Sequence, residues 1–184
     1  MTISEKKWMS LMKKQGLNLF KFTILIFFIF LNSAISEIKF ISSDVEKVII
    51  TDGDSIKIGK QKIRLFGIDA PELKQICYNK SEVPYPCGIE AKKWLEIIIN
   101  KSDKKYIYCY YSERDKYNRI LGECFLGEDS KTNVNETMVY LGYAVAYLRY
   151  SKKYLHAQES AKSINNGLWE GTFEMPEEWR KKNK

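Results

Sequence analysis

Residues able to do chemistry crowd into one stretch of the 184-residue chain, Asp52 to Glu72: Asp-Gly-Asp-Ser-Ile-Lys-Ile-Gly-Lys-Gln-Lys-Ile-Arg-Leu-Phe-Gly-Ile-Asp-Ala-Pro-Glu. Ser55 to Ile58 alternate polar and apolar, Gly59-Lys60-Gln61 carry turn chemistry, and Lys62 to Ile68 return as a β-rich run. The pattern predicts a tight hairpin. With the turn centred near Lys60, Ile56 faces Leu65 and Asp54 faces Gly67, so Asp54 and Asp69 fall at the same open end. Pro71 cannot continue a ladder, which stops the strand at Asp69-Ala70, and Glu72 follows at once. Three carboxylates then converge, with Arg64 behind them in an otherwise apolar run. Two readings compete: a solvated hairpin end, or a site. Close like charges repel and raise one another's pKa unless a cation sits among them. An arginine inside Ile-Arg-Leu-Phe-Gly-Ile is costly unless an anion partners it. An oxygen-lined pocket for a hard divalent cation, beside an arginine that awaits a phosphate, answers both problems.

A second group, Asp115-Lys116-Tyr117-Asn118-Arg119, reads on its own as a polar turn with a flanking arginine. Taken with Asp-Gly-Asp-Ser and Ile-Arg-Leu-Phe-Gly-Ile-Asp-Ala-Pro-Glu, it resembles the staphylococcal nuclease (thermonuclease) family, and within it the secreted, cysteine-containing bacterial branch. The resemblance covers roughly Val45 to Trp179. It implies an α+β fold, a five-stranded OB-type β-barrel with about three helices. It also implies a calcium-dependent endonuclease that hydrolyses DNA and RNA with little sequence preference. By the same resemblance Asp54 and Asp69 would hold the cation, with the main-chain carbonyl of Ala70. The family has threonine at the Ala70 position, so a backbone ligand survives but a hydroxyl is lost. Glu72 would orient or deprotonate the attacking water. Arg64 and Arg119 would grip the phosphate, where the guanidinium's bidentate geometry outperforms lysine. Lys116 and Tyr117 match substrate-contacting positions. Tyr147 and Tyr150 could stack on a base or sugar, or belong to the core. Hard oxygen donors alone would equally admit magnesium or manganese.

The first 36 residues do not look like domain material. Lys6, Lys7, Lys13, Lys14 and Lys21 precede the apolar run Phe22 to Leu31, and Ala34-Ile35-Ser36 is a small-x-small cleavage pattern. This is signal-peptide anatomy, and the run is short for a spanning helix. An uncleaved anchor over Leu17 to Ile35 is the alternative. Either way residues 37–184 form one nuclease-like domain outside the cytoplasm, secreted, periplasmic or tethered, and expected to be a monomer. The leader holds five of the 30 basic residues and one of the 23 acidic ones, so the domain keeps 25 and 22, a net of +3. That modest surplus suits a polyanionic substrate without requiring one. Cys77, Cys87, Cys109 and Cys124 all follow the leader, and an even count in an exported chain points to disulfides. Tyr106–Tyr111 and Ile120–Leu126 are β-rich; a turn at Asp115–Asn118 sets Cys109 opposite Cys124. Cys77 and Cys87 then close the loop between them. With no CxxC pair and one histidine, zinc is a poor alternative.

Elsewhere Val45–Thr51 reads as a first strand. Gly88–Asn100 reads as a helix with Ala91, Trp94, Leu95, Ile98 and Ile99 on its core face. Shorter helices are expected over Val134–Leu141 and Tyr154–Asn166, stopped by Gly142 and Gly167. Lys181 to Lys184 read as a frayed basic tail. Asn79, Asn100 and Asn135 begin Asn-x-Ser/Thr triplets. His156, the sole histidine, reads as a solvated helical residue, so Ser-His-Asp and Cys-His catalysis lack a base. Metal-assisted phosphodiester hydrolysis needs none. The rival functions are a non-catalytic single-strand-binding OB module and a carboxylate-pair glycosidase. The first would be expected to have lost site residues, and the second leaves both arginines unexplained.

Overall fold

The computed structural model describes residues 38–100, 103–127 and 131–183. The leader reading lies outside them. Among the described residues no helix is long and apolar enough to cross a membrane. The elements, in order, are β1 (Lys39–Asp44), β2 (Val48–Ile50), β3 (Ser55–Ile58), β4 (Gln61–Leu65), β5 (Ile68–Asp69), β6 (Cys77–Tyr78), β7 (Pro84–Tyr85), α1 (Cys87–Asn100), β8 (Tyr106–Tyr111), β9 (Ile120–Leu126), β10 (Thr132–Asn133), α2 (Val134–Tyr140), β11 (Val145–Ala146), α3 (Leu155–Ser163) and α4 (Pro176–Lys182). Single 3-10 turns lie at Val45–Lys47 and Gly167–Glu170 among the described residues.

The main sheet runs β1-β8-β9-β4-β3-β2, with β10 on the far side of β9. It curls into a half-barrel, an α+β arrangement of the OB type. All pairings are antiparallel except β4 with β9, which sets Ile63 beside Ile120 and Arg64 beside Leu121. Period-2 alternation drives the curl. Along β9, Ile120, Gly122, Cys124 and Leu126 are buried while the residues between them are only half covered. Ile56, Ile63, Leu65 and Ile107 join them, and α1 closes the core with Ala91, Leu95 and Ile99 at helical spacing. Trp94 of α1 stacks on Tyr143, ring centroids 4.7 Å apart.

Several expectations shift in detail. The β3–β4 turn holds only two residues, Gly59 and Lys60, and Gly59 takes a positive φ of 56°. Ile56 therefore pairs with Ile63 and Ser55 with Arg64, not Ile56 with Leu65. The strand beyond is broken: Gly67 turns at φ 75°, so β4 ends at Leu65 and β5 begins at Ile68. Val45–Lys47 is a 3-10 turn, and the strand ahead of it, β1, pairs along all of β8. α3 is shorter than expected, and Lys181 and Lys182 belong to a fourth helix rather than a loose tail. Both disulfides form as the register suggested, Cys77–Cys87 and Cys109–Cys124. Asn135 is fully buried. Its Nδ2 donates to the carbonyls of Phe66 and Gly122 at 2.9 and 3.0 Å, which makes it a strut between the β4–β5 turn and β9 and removes it as a glycosylation acceptor.

Candidate active site

The Asp52–Asp54 turn precedes β3 and folds back on itself. Asp54 donates its N–H to Asp52 Oδ1 at 3.0 Å, an Asx turn that fixes both carboxylates. Gly53 makes the close approach possible. A methyl there would sit 2.7 Å from the Cβ atoms of both Ala70 and Ala91, so only glycine lets this turn lie against the end of β5 and against α1. Asp54 and Asp69 are buried, 4% and 1% exposed. Arg64 bridges them: its Nη1 donates to Asp54 Oδ1 and its Nη2 to Asp69 Oδ1, both at 2.8 Å. One guanidinium thus spans the two carboxylates. Asp54 Oδ1 also accepts from Ser55 Oγ at 3.0 Å, and Oδ2 from the Ala70 N–H at 3.1 Å.

Burial works against the Arg64 charge, but Asp54 and Asp69 outweigh it and hold the guanidinium protonated. Burial pushes Asp69 up, with Arg180 hydrogen bonds opposing. Burial, reinforced by the Asp54 charge, pushes Asp52 up to about 6. Asp52 places a third, half-buried carboxyl group beside the pair. Among the described residues no three such side chains converge as a ready-made metal cluster, but Asp52, Asp54, Asp69 and Glu72 outnumber the Arg64 and Arg180 guanidiniums set among them, and their hard oxygens are the donors a divalent cation takes.

Glu72 lies just past Pro71 on the rim. Its N–H donates to Oε1 of the fully buried Gln75 at 3.2 Å. Across the opening, the residues before β9 form a tight loop in which Asp115 is the hub. Asp115 Oδ1 accepts the backbone N–H groups of Tyr117 and Arg119 at 2.9 Å each, and Oδ2 accepts Arg119 Nε at 2.8 Å and Nη2 at 2.7 Å. Burial opposes the Asp115 charge, yet these bonds hold its carboxyl below the usual range. Tyr117 is largely exposed, with Lys116 Nζ and the Arg119 guanidinium 5.0 and 5.5 Å from its ring centre. Tyr147 and Tyr150 meet edge to face at 4.8 Å, and the Tyr147 N–H donates to Gly67 at 2.9 Å.

A cleft of about 910 Å³ joins these pieces. Asp54, Arg64, Ala70, Glu72, Lys116, Tyr117, Arg119, Tyr147 and Tyr150 all line it, and Asp69 reaches it through Arg64. Every residue singled out from the sequence for cation or substrate is therefore assembled at one place. Cys77 and Cys87 lie behind the Glu72 loop, where Cys87 Sγ is 3.4 Å from the Gln75 carbonyl, and Cys109–Cys124 staples β8 to β9. Reading the sequence overlooked Asp52, Glu113, Arg149 and above all Arg180, which also line the cleft. Asp52 lay in the quoted motif and its doubled acid was visible. Arg180 comes from α4, more than a hundred residues away, and spacing carried no signal of it.

Chains of known kind resemble this one. The family model for staphylococcal nuclease homologues matches residues 62–171. The succinoglycan biosynthesis protein ExoI of Rhizobium meliloti (strain 1021) is 33% identical over 121 residues, 65% of this chain and 61% of the relative. An uncharacterized endonuclease of Haemophilus influenzae is 34% identical over 143 residues, 73% of this chain and 71% of the relative. A probable staphylococcal-like nuclease, CAN3, of Oryza sativa subsp. japonica is 32% identical over 139 residues, 73% of this chain but only 32% of the rice protein. The matched region thus spans under two thirds of the rhizobial protein and about a third of the rice one.

Proposed function

The chain belongs to the staphylococcal nuclease family, and from that membership we propose that it is an endonuclease hydrolysing phosphodiester bonds of DNA and RNA with little sequence preference, dependent on calcium. The observation that carries the reading is the Arg64 guanidinium clasped between Asp54 and Asp69, with Glu72 on the same rim and Arg119 across the cleft. A binding module would need none of the carboxylates.

Asp54, Asp69 and the Ala70 carbonyl would hold the cation, with Asp52 adding charge behind them. When bound, the cation supplies Lewis-acid polarisation of a phosphoryl oxygen. The remaining work falls to this chain's own side chains. Arg64 and Arg119 grip the non-bridging oxygens and stabilise the charge that accumulates on the five-coordinate phosphorus. Asp115 holds Arg119 through Nε and Nη2, which leaves Nη1 for that contact. Glu72 orients the attacking water and takes its proton. The water oxygen bonds to phosphorus in line with the sugar oxygen that departs, the 5′ P–O bond breaks, and that oxygen leaves as an alkoxide that takes a proton from solvent water, so the phosphate stays on the 3′ side. Lys116 and Tyr117 seat the backbone beside Arg119, and Tyr147 with Tyr150 offers an aromatic platform for a base or sugar.

Two disulfides indicate an oxidising compartment. With the leader pattern of residues 1–36 they support an exported protein, secreted or periplasmic; we take it to act as a monomer. The test is incubation of the oxidised protein with plasmid and single-stranded DNA in calcium, in magnesium and in chelator. Calcium-dependent degradation abolished by chelator is expected. Cleavage in magnesium alone would replace the cation, and a gel shift without cleavage in any cation would overturn the enzyme reading.

A further inference from the structure

Three hydrogen bonds to the site carboxylates come from outside the region that the family model matches. Arg180 Nη1 donates to Asp69 Oδ1 at 2.9 Å and to Glu72 Oε1 at 3.0 Å, while Nη2 donates to Asp69 Oδ2 at 2.9 Å. Its helix, α4, is seated rather than draped. Tyr78 and Thr172 exchange backbone hydrogen bonds at 2.9 Å beside the Cys77–Cys87 disulfide. The fully buried Gln75 donates Nε2 to the Glu174 carbonyl at 2.7 Å while its Oε1 receives the Glu72 N–H. One side chain therefore registers the lead-in of α4 against the residue that α4 then contacts. Arg149 closes the seat by donating to Glu177 at 2.9 Å.

Charge gives this contact a purpose. Asp52, Asp54, Asp69 and Glu72 carry four negative charges, and Arg64 and Arg180 supply two positive ones. The remainder equals the charge of a single divalent cation. Without Arg180 a loaded site would stay anionic and repel the phosphodiester it must receive. We propose that Arg180 is a positioning residue of the active site: it fixes Glu72 and Asp69 and balances the cluster so that a divalent cation and a phosphodiester fit together. The inference rests on the nuclease reading.

The experiment compares oxidised wild type, R180Q and R180K in two assays, with thermal melts to confirm that each is folded. The first is calorimetric titration with calcium chloride in the absence of nucleic acid. R180Q leaves a more anionic cluster and frees both Asp69 oxygens, so it should bind calcium at least about tenfold tighter. R180K should stay near wild type. The second is steady-state cleavage of a short single-stranded DNA. R180Q should lose about 100-fold in kcat with a smaller change in KM, because Glu72 is no longer held, and R180K should recover part of it. Unchanged calcium affinity in R180Q overturns the proposal, and so does faster cleavage, which would make Arg180 a plug. A wild type that cuts nothing in any cation sinks the nuclease reading and this proposal with it. A wild type that cuts no better than R180Q sinks the Arg180 assignment alone.

Discussion

Asp115 shows how much one carboxylate can organise. It receives two backbone N–H groups and two guanidinium N–H groups, and so fixes the loop and its arginine together. We expect Asp115→Ala to cost about 1–2 kcal/mol at pH 7, the scale of losing charged hydrogen bonds. The sign with pH follows from a folded pKa below the unfolded one. The contribution is full above the ordinary aspartate pKa and disappears as pH falls through the folded value. Urea melts of variant and wild type should therefore differ at pH 7 and draw together as the pH is taken below the ordinary aspartate range; a constant gap across that range would contradict the assignment. At the reacting centre, Glu72→Gln should lower kcat by about 10²- to 10⁴-fold. Arg119→Ala should lower it by about 10²- to 10³-fold. Both should melt within a few degrees of wild type, and retained turnover in both would remove them from the mechanism. Glu72 was readable because carboxylates crowded together demand a partner, whereas Arg119 was readable only through its likeness to the family motif, its own segment passing for a polar turn. Arg180 was not, since an arginine in Glu-Trp-Arg-Lys-Lys on an unmatched segment looks like any solvated base. Its partners become apparent only when Gln75 and Thr172 bring the helix round.

At the scale of elements, the site depends on close backbone approaches. Gly53 lets the Asp52–Asp54 turn touch β5 and α1, and the space a methyl would need is already filled. Gly53→Ala should destabilise the fold by about 1–3 kcal/mol through overpacking. It should also weaken calcium binding in titration as the turn lifts away; an unaltered titration would show that the turn can shift without moving its carboxylates. The β8–β9 staple closes a loop of 15 residues, worth about 3 kcal/mol in the chain-entropy account. Denaturant melts with and without reductant, compared with a C109S/C124S variant, should show that loss, and coincident curves would argue against it. Element reading worked where periodicity was strong, as in α1 and β9. It slipped at the β3–β4 turn because Gly59-Lys60 and Gly59-Lys60-Gln61 look alike until the pairing of Ile56 with Ile63 is seen. β1 escaped notice because Lys-Phe-Ile-Ser-Ser-Asp has little alternation and takes its order from β8. α4 carried legible end signals, Pro176, Glu177 and Glu178 first and Arg180, Lys181 and Lys182 last, but seven residues without an apolar stripe give no period.

For the whole molecule, the active cleft is a product of topology rather than of any local segment. Arg64 lies on β4 and Arg119 immediately before β9, and the parallel pairing of those strands, Ile63 with Ile120 and Arg64 with Leu121, brings both to one end of the sheet. Parallel neighbours cannot be joined by a tight turn, so the intervening chain, with α1 and β8, must be laid down before the two arginines can face a common ligand. Non-local pairings of this kind form late, because loop closure costs entropy before contacts repay it. Recovery of the cleft then becomes a clock for the last step of folding. In a stopped-flow refolding experiment with disulfides intact, far-UV signal from the helices should return ahead of the ability to bind a nucleotide, and nucleotide binding should rise together with burial of Trp94. Binding that returned first would mean the arginines can find each other before the sheet has closed.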